Sequence, residues 1–358
     1  MKRCLGICLV SILSGLFPGT ARADYSEQLF RSVEAQAMGG AVVASTDDDL
    51  ALFLNPAGLA GVKKLKFRFL NATIEASNDL AKDPATIMPL LSGGISSTLI
   101  NSLIGKNYYL RVQDIATVSF QGFAVGVIGD AQAAIRLINP NSPTGTVGLQ
   151  TTYGLQVGYG DTVYKFAKKR GEIRFGVSGK YLYRAGGFHQ PSVTDILTLN
   201  MNEIIGDYRT YGTGIGIDTG TQIIYRLSNK FTVTGGLVVT DIGGTKFSNS
   251  SPSIPPNFSM GTSFRYKSND IVATLAYDYQ HVLDSMDWQK KVHLGLQLKM
   301  PILTLSGGFS ELYPTYGVGL DLGVAQINYT NYSDELSSLF GINPESRHMI
   351  TAKVDFVF

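Results

Sequence analysis

The chain has 358 residues, with 30 basic against 28 acidic side chains, 40 glycines, 18 tyrosines, 18 phenylalanines and only 16% charged residues. That balance leaves no basic excess to follow a nucleic-acid backbone, and the glycine and aromatic content suits a sheet-rich protein better than a helical one. No Pro/Ser linker or charge block divides the chain beyond its leader, so it reads as one folded unit.

The leader is MKRCLGICLVSILSGLFPGTARA. A cationic Lys2-Arg3 start, an apolar run from Leu5 to Phe17, a Pro18-Gly19 break and an Ala21-Arg22-Ala23 cleavage site mark residues 1–23 as a cleaved secretory signal. Both cysteines, Cys4 and Cys8, lie inside it, and Cys8 comes too early for a lipid-anchor cysteine. Cleavage takes 23 of the 358 residues, leaving 335 with no thiol, which excludes disulfides, zinc-thiolate sites and cysteine nucleophiles. Lys2, Arg3 and Arg22 leave with it, so 27 basic groups face 28 acidic ones. No later stretch reaches the ~18 uninterrupted apolar residues of a transmembrane helix. Entry into a membrane would have to be as a barrel.

Residues 24–62 match neither strand alternation nor a long amphipathic helix. They include RSVEAQAMGGAVVASTDDDLALFLNPAGLAGV, a run of small residues followed by an acidic turn and then Asn55, Pro56, Ala57 and Gly58. Pro56 fixes its own φ and biases Asn55 toward an extended conformation, and the surrounding glycines permit tight turns and close backbone approach. NPAG would serve as a simple turn at the entrance of a strand. An apolar, compact, turn-rich segment ahead of a barrel would also find its burial in the lumen, as a hatch or plug.

From residue 63 the pattern changes to period two. Candidate strands fall at about 65–75, 110–120, 122–137, 146–165, 172–184, 211–226, 230–240, 257–267, 270–281, 289–299, 302–310, 314–322, 324–332 and 347–358. In EIRFGVSGKYLYR, Ile173, Phe175, Val177, Tyr181 and Tyr183 oppose Arg174, Ser178, Lys180 and Arg184. In KVHLGLQLKM, Val292, Leu294, Leu296 and Leu298 oppose His293, Gln297 and Lys299. Charged inner faces of this length would leave unpaired polar groups in a sandwich core, whereas a lumen accommodates them. Gaps after even-numbered strands are short, and those after odd-numbered ones include 76–109, 185–210, 241–256 and 333–346. This is the short-turn, long-loop parity of outer-membrane barrels. The expected fold is therefore all-β: a transmembrane antiparallel β-barrel of about 14 strands over residues 63–358, with an N-terminal hatch over 24–62. The second strand fits poorly, because Asp114 falls on the face of Val112, Ala116 and Val118. The final MITAKVDFVF alternates to a terminal aromatic and resembles the sorting signal of outer-membrane barrels.

Within that frame the inward basic residues Arg174, Lys180, Arg265, Lys291, Lys299 and Lys353, with Asp278 and Asp321, form a solvated or mutually paired lining, or else include a donor for a ligand carboxylate. Gly129 and Asp130 in the third strand are the candidate bend for an opening in the wall. The loop DLAKDPATIMPLLSGGISSTLINSLIGK, with Leu90, Leu91, Leu99 and Leu103, is too apolar for an ordinary exposed loop, as is SVTDILTLNMNEIIGD at 192–207. Such loops would cap the rim or form an apolar outer vestibule. His189, His281, His293 and His348 show no metal-ligand spacing, and no phosphate-binding loop is present. Neither a metal, a cofactor nor enzymatic chemistry is expected.

The run from Gly39 to Gly61, with Ala44-Ser45, Asp47-Asp48 and Asn55-Pro56-Ala57-Gly58-Leu59, resembles the hatch of the long-chain fatty-acid transporter (FadL-like) superfamily of outer-membrane proteins. Asn55, Pro56 and Ala57 match its NPA triplet, and the closing DELSSLFGINPESRH resembles PorV-like members. The resemblance implies a 14-stranded barrel closed by an N-terminal hatch, in the outer membrane of a Gram-negative-type bacterium. It further implies passive transport of hydrophobic or amphipathic small molecules such as long-chain fatty acids, with sideways exit beside a kinked third strand. The alternative it carries is a PorV-like anchor or shuttle whose partner is a secreted or surface protein. An open porin and a soluble exported β-protein are blander alternatives.

Overall fold

Alternation of apolar and polar residues becomes, in the computed structural model, a wall with two solvents. The structure describes residues 29–86, 102–138, 144–189 and 211–358. Its strands are β1 (Lys66–Ser77), β2 (Asn107–Phe120), β3 (Phe123–Ile138), β4 (Thr144–Phe166), β5 (Gly171–His189), β6 (Gly212–Arg226), β7 (Phe231–Thr240), β8 (Asn257–Lys267), β9 (Val272–Tyr279), β10 (Val292–Lys299), β11 (Leu303–Ser310), β12 (Tyr313–Asp321), β13 (Ala325–Glu335) and β14 (Pro344–Val357). Each pairs with its neighbours in sequence, and β1 closes on β14, so all fourteen form one closed barrel. Closure removes every open sheet edge, the only way strands can cross a bilayer without exposing unpaired amides.

The two faces separate as the sequence alternates. On β14, Ile350 is 53% exposed while Met349 is fully buried. The outward set, including Phe175, Val177, Ile215, Ile217, Leu294, Leu296, Val318 and Leu320, is apolar and exposed around the ring. At the short-turn end Phe67 packs on Phe358 and Phe69 on Phe356, with ring centroids 6.0 and 5.7 Å apart. Tyr153, Tyr183 and Tyr211 cluster toward the other end. These are the aromatic girdles expected at the two membrane interfaces.

Several strands extend beyond their alternating cores. Strand β14 begins at Pro344 because Glu345 and Ser346 continue the ladder with Asp334 and Ser333. Backbone pairing outlasts the membrane, so alternation marks only the spanning portion. The expected bend at Gly129 and Asp130 is not where the wall departs from regularity: both residues pair in register with β2 and with β4. Register shifts lie instead between β4 and β5 at Thr162 to Tyr164 and at β1, whose pairing with β14 shifts between Arg68 and Leu70 and with β2 between Arg68 and Thr73. This explains Asp114. Its side chain does face outward, and its Oδ1 accepts the Asn71 N–H, freed by the broken ladder, at 3.0 Å.

Residues 29–62 hold α1 (Val33–Ala37), α2 (Ala51–Leu54) and a 3-10 turn (Pro56–Gly61). They pack against inward positions of the wall rather than beside it. A Cβ on Gly236 of β7 would lie 2.7 Å from the Val43 carbonyl oxygen, and one on Gly176 of β5 or Gly295 of β10 would overlap the backbone of Pro56 or Met38. Glycine lets the two backbones approach where any side chain would intervene.

Candidate functional site in the lumen

The lumen is organised by how residues 29–62 are tied to the wall. Local capping shapes the segment first. Ser32 Oγ accepts the Ala35 N–H at the start of α1. Asn55 Oδ1 accepts the Ala57 N–H at 3.2 Å, and Asn55 Nδ2 donates to the Val43 carbonyl at 2.8 Å. Pro56 stands at the first position of its turn, where its missing N–H costs nothing. One fully buried side chain thus joins the NPAG turn to the turn at Val43–Ser45.

Charged side chains then anchor the segment. Asp278 of β9 accepts the N–H groups of Val42 and Val43 at 2.7 and 2.8 Å. Asp49, fully buried, pairs with Lys66 and Arg68 of β1 at 2.9 and 3.0 Å. Arg31 reaches Asp334 at 2.6 Å and Glu75 at 3.4 Å, and Glu75 is held in turn by Arg347 at 2.9 Å. Glu34 pairs with Lys353. Breaking one member of such a buried set leaves its partner charged and unpaired, at about 3–5 kcal/mol. The period-two pattern marks Glu75, Arg347 and Arg68 as inward residues, but nothing local in the sequence shows that Arg31 is the counterpart of Glu75 or Asp49 that of Arg68.

Cavities lie on both sides of this segment. Toward the long loops is one of about 240 Å³, whose lining includes Leu29, Phe30, Val43, Phe53, Val238 and Ile254. Its polar rim carries Lys180, Asp241, His281, Lys290, Glu311, Asp334 and Glu335. Toward the short turns are two more, of about 570 and about 350 Å³. Ser32, Ala35, Val42 and Leu54 line both the long-loop cavity and the 350 Å³ one. Those four residues are the partition between the two spaces.

The six basic residues singled out from the sequence do not meet at one site, although Arg174 and Arg265 both line the 570 Å³ cavity and Arg265 and Lys299 the 350 Å³ one. Lys180 is spent between Asp218 and Asp241 at 2.9 and 2.8 Å. Arg174 pairs with Glu172, Arg265 with Asp47 and Lys353 with Glu34. Lys291 donates to the carbonyls of Asp284 and Val282. Lys299 lies beside the 350 Å³ cavity at the short-turn end. Mutual pairing therefore describes this lining better than a waiting carboxylate receptor. On the rim, Lys290 donates to the carbonyls of Glu335 and Ser337, and His281 Nδ1 bonds Asp284 at 2.7 Å. Burial, reinforced by the negative charge of Asp334, pushes the Glu311 carboxyl up to about 7.

Leu103, near the end of the connection between β1 and β2, is buried with Leu80, Tyr108, Leu137 and Val147. Leu90, Leu91 and Leu99, the 192–207 loop and the leader lie outside the described residues. No group of His, Asp and Glu suited to a metal is found among the described residues.

Barrel closure, an apolar outer belt and a polar lumen together define a transmembrane β-barrel of the outer-membrane type. Among solved structures the chain is similar to the toluene transporter TbuX of Ralstonia pickettii, at 10% identity and a TM-score of 0.47, over 92% of this chain and 99% of that one. It is similar to the monoaromatic hydrocarbon channel CymD at 12% identity and 0.48, over 90% and 96% of the two chains. It is also similar to the toluene transporter TodX of Pseudomonas putida at 10% and 0.43, over 96% and 99%. No family model matches the sequence, and no curated protein does. Similarity at this level assigns no substrate to the chain.

Proposed function

We propose that this protein is a passive outer-membrane conduit for small, uncharged hydrophobic or weakly polar molecules, with residues 24–62 as its hatch. The observation that carries the proposal is the pair of cavities meeting at Ser32, Ala35, Val42 and Leu54. A molecule entering from the long-loop side would rest against Phe30, Phe53, Val238 and Ile254, then pass the partition toward the short-turn side, which faces the periplasm in barrels of this kind.

Size and charge narrow the ligand. An apolar cavity of roughly 150 Å³ already holds a benzene, so about 240 Å³ suits a molecule near that scale rather than an extended long-chain fatty acid. The rim cations are engaged, and Asp241, Glu311, Asp334 and Glu335 outnumber them. A carboxylate placed there would meet acids before a free donor, which is unfavourable in a partly dry site. The fatty-acid reading is thus weaker than the neutral one.

The test is permeability. Proteoliposomes with the intact chain should show little steady ion conductance, and Leu54→Ala should raise the uptake of a small neutral aromatic severalfold. Equal uptake by wild type, Leu54→Ala and empty vesicles would sink the proposal, and large steady conductance from the wild type would restore an open porin.

A further inference from the structure

The largest of the three cavities, about 570 Å³ at the short-turn end, has a one-sided lining. Lys169, Arg170, Arg174, Arg226, Lys230, Arg265 and Lys267 face it, with Asp47 as the one acid among its lining residues. The chain beyond its leader is balanced in charge, so this concentration is local. Glu172 neutralises Arg174 and Arg226, and Asp47 neutralises Arg265. Among the described residues no ion pair is found for Lys169, Arg170, Lys230 or Lys267.

Backbone geometry fixes these cations together. The Arg226 N–H donates to the Arg170 carbonyl, and the Lys267 N–H to the Lys230 carbonyl, each at 2.8 Å. Arg170 thus stands beside Arg226, which Glu172 already pairs, whereas Lys230 and Lys267 stand opposite one another across adjacent strand ends, an arrangement that is unfavourable unless something neutralises it. Ser228 Oγ accepts the Lys230 and Phe231 N–H groups at 3.2 Å, which sets the turn that carries Lys230. Deeper in the same cavity Gln222 is 1% exposed. Its Nε2 donates to the Thr46 carbonyl, while its Oε1 has no hydrogen-bond partner.

We infer that this cavity is a binding site for a phosphate group, either free or as the monoester headgroup of phosphatidic acid. Arg170, Lys230 and Lys267 would supply charge-assisted donors to its oxygens. Hydrogen phosphate also carries one O–H, the donor that Gln222 Oε1 lacks. Sulfate offers the same charge without that proton at neutral pH. A recess bounded by Ser45, Thr46 and Asp47 on one side and the wall on the other admits a small group better than a protein surface. The site is separate from the long-loop cavity and takes a different chemistry, so it stands or falls apart from hydrophobe transport.

Calorimetric titration of the refolded protein in a nonionic detergent tests it, with inorganic phosphate, dihexanoyl phosphatidic acid, sulfate and polyglutamate as probes. Phosphate, phosphatidic acid or both should bind saturably and more tightly than sulfate; tight binding of inorganic phosphate marks a free-anion site, and binding of the lipid alone marks a headgroup site. Arg170→Gln with Lys230→Gln should weaken that binding about tenfold. Lys165→Gln with Lys168→Gln removes the same charge outside the lining and should leave binding within about twofold. The inference is overturned if neither phosphate probe binds, if the two double variants lose affinity equally, or if polyglutamate alone binds. Because inorganic phosphate has no apolar tail, failure here leaves the permeability result untouched.

Discussion

Asn55 shows how much one side chain can decide. It caps the 3-10 turn, holds the Val43 carbonyl and sits so close to β6 that a Cβ on Gly220 would overlap its Oδ1. Asn55→Ala should remove a cap worth about 0.5–2 kcal/mol and orphan a buried carbonyl. Hydrogen exchange of amides 41–61 should accelerate about tenfold while strand amides do not change, since 1.4 kcal/mol is a factor of ten. Gly220→Ala should act in the same direction from the wall side, through overpacking of about 1–3 kcal/mol. Uniform acceleration across the barrel would contradict this local account. The NPA triplet was legible because proline, asparagine and glycine each carry a distinct backbone constraint. Asp49 was not, because its partners Lys66 and Arg68 are brought to it only by folding, and three adjacent aspartates read locally as a solvated turn.

Elements divide by the same logic. Fourteen strands could be read with ends off by a few residues because lipid on one side and a polar lumen on the other impose a strict period of two. Residues 29–62 obey no such rule, so their helices, ties and flanking cavities had to come from the structure. The two-residue connection between β11 and β12, Glu311–Leu312, at the long-loop end, bears on pH. Burial first, and then Asp334, lift the folded-state value of Glu311 from 4.5 to about 7, with Lys290 offsetting part of the rise. A raised acid binds more protons folded than unfolded. Its favourable contribution is therefore complete below the unfolded value and is lost as pH rises through about 7. Amides 311–313 should exchange more slowly at pH 5.5 than at pH 8 after correction for intrinsic rates, and Glu311→Gln should abolish the difference. A larger protection at pH 8 would contradict the assignment. The Leu54→Ala permeability test belongs to this scale as well, since Leu54 closes one end of α2 against both cavities.

At the scale of the whole molecule, a closed barrel in which every strand pairs with two neighbours, with an apolar belt, should resist detergent until heated. Unheated protein should run faster on a denaturing gel than boiled protein, and equal mobility would favour a soluble β-protein. Deleting residues 24–62 should leave that shift in place, because the strands close on one another without the segment, yet should raise single-channel conductance well above the wild type. Sequence pattern conveyed the barrel and the segment ahead of it. It did not convey ligand class, because inward charges look alike whether they wait for a ligand or, like Lys180 with Asp218 and Asp241, are already satisfied.

The most direct measurement is titration of the refolded protein in lipid nanodiscs with a small neutral fluorescent aromatic and, separately, with a fluorescent long-chain fatty acid, comparing wild type with Val238→Trp, which fills the long-loop cavity. Saturable binding of the aromatic, tighter than that of the fatty acid and lost in a Val238→Trp protein that keeps its heat-dependent mobility, is the predicted result. Absence of saturable binding, or binding indifferent to Val238→Trp, would contradict transport of neutral hydrophobes through this cavity.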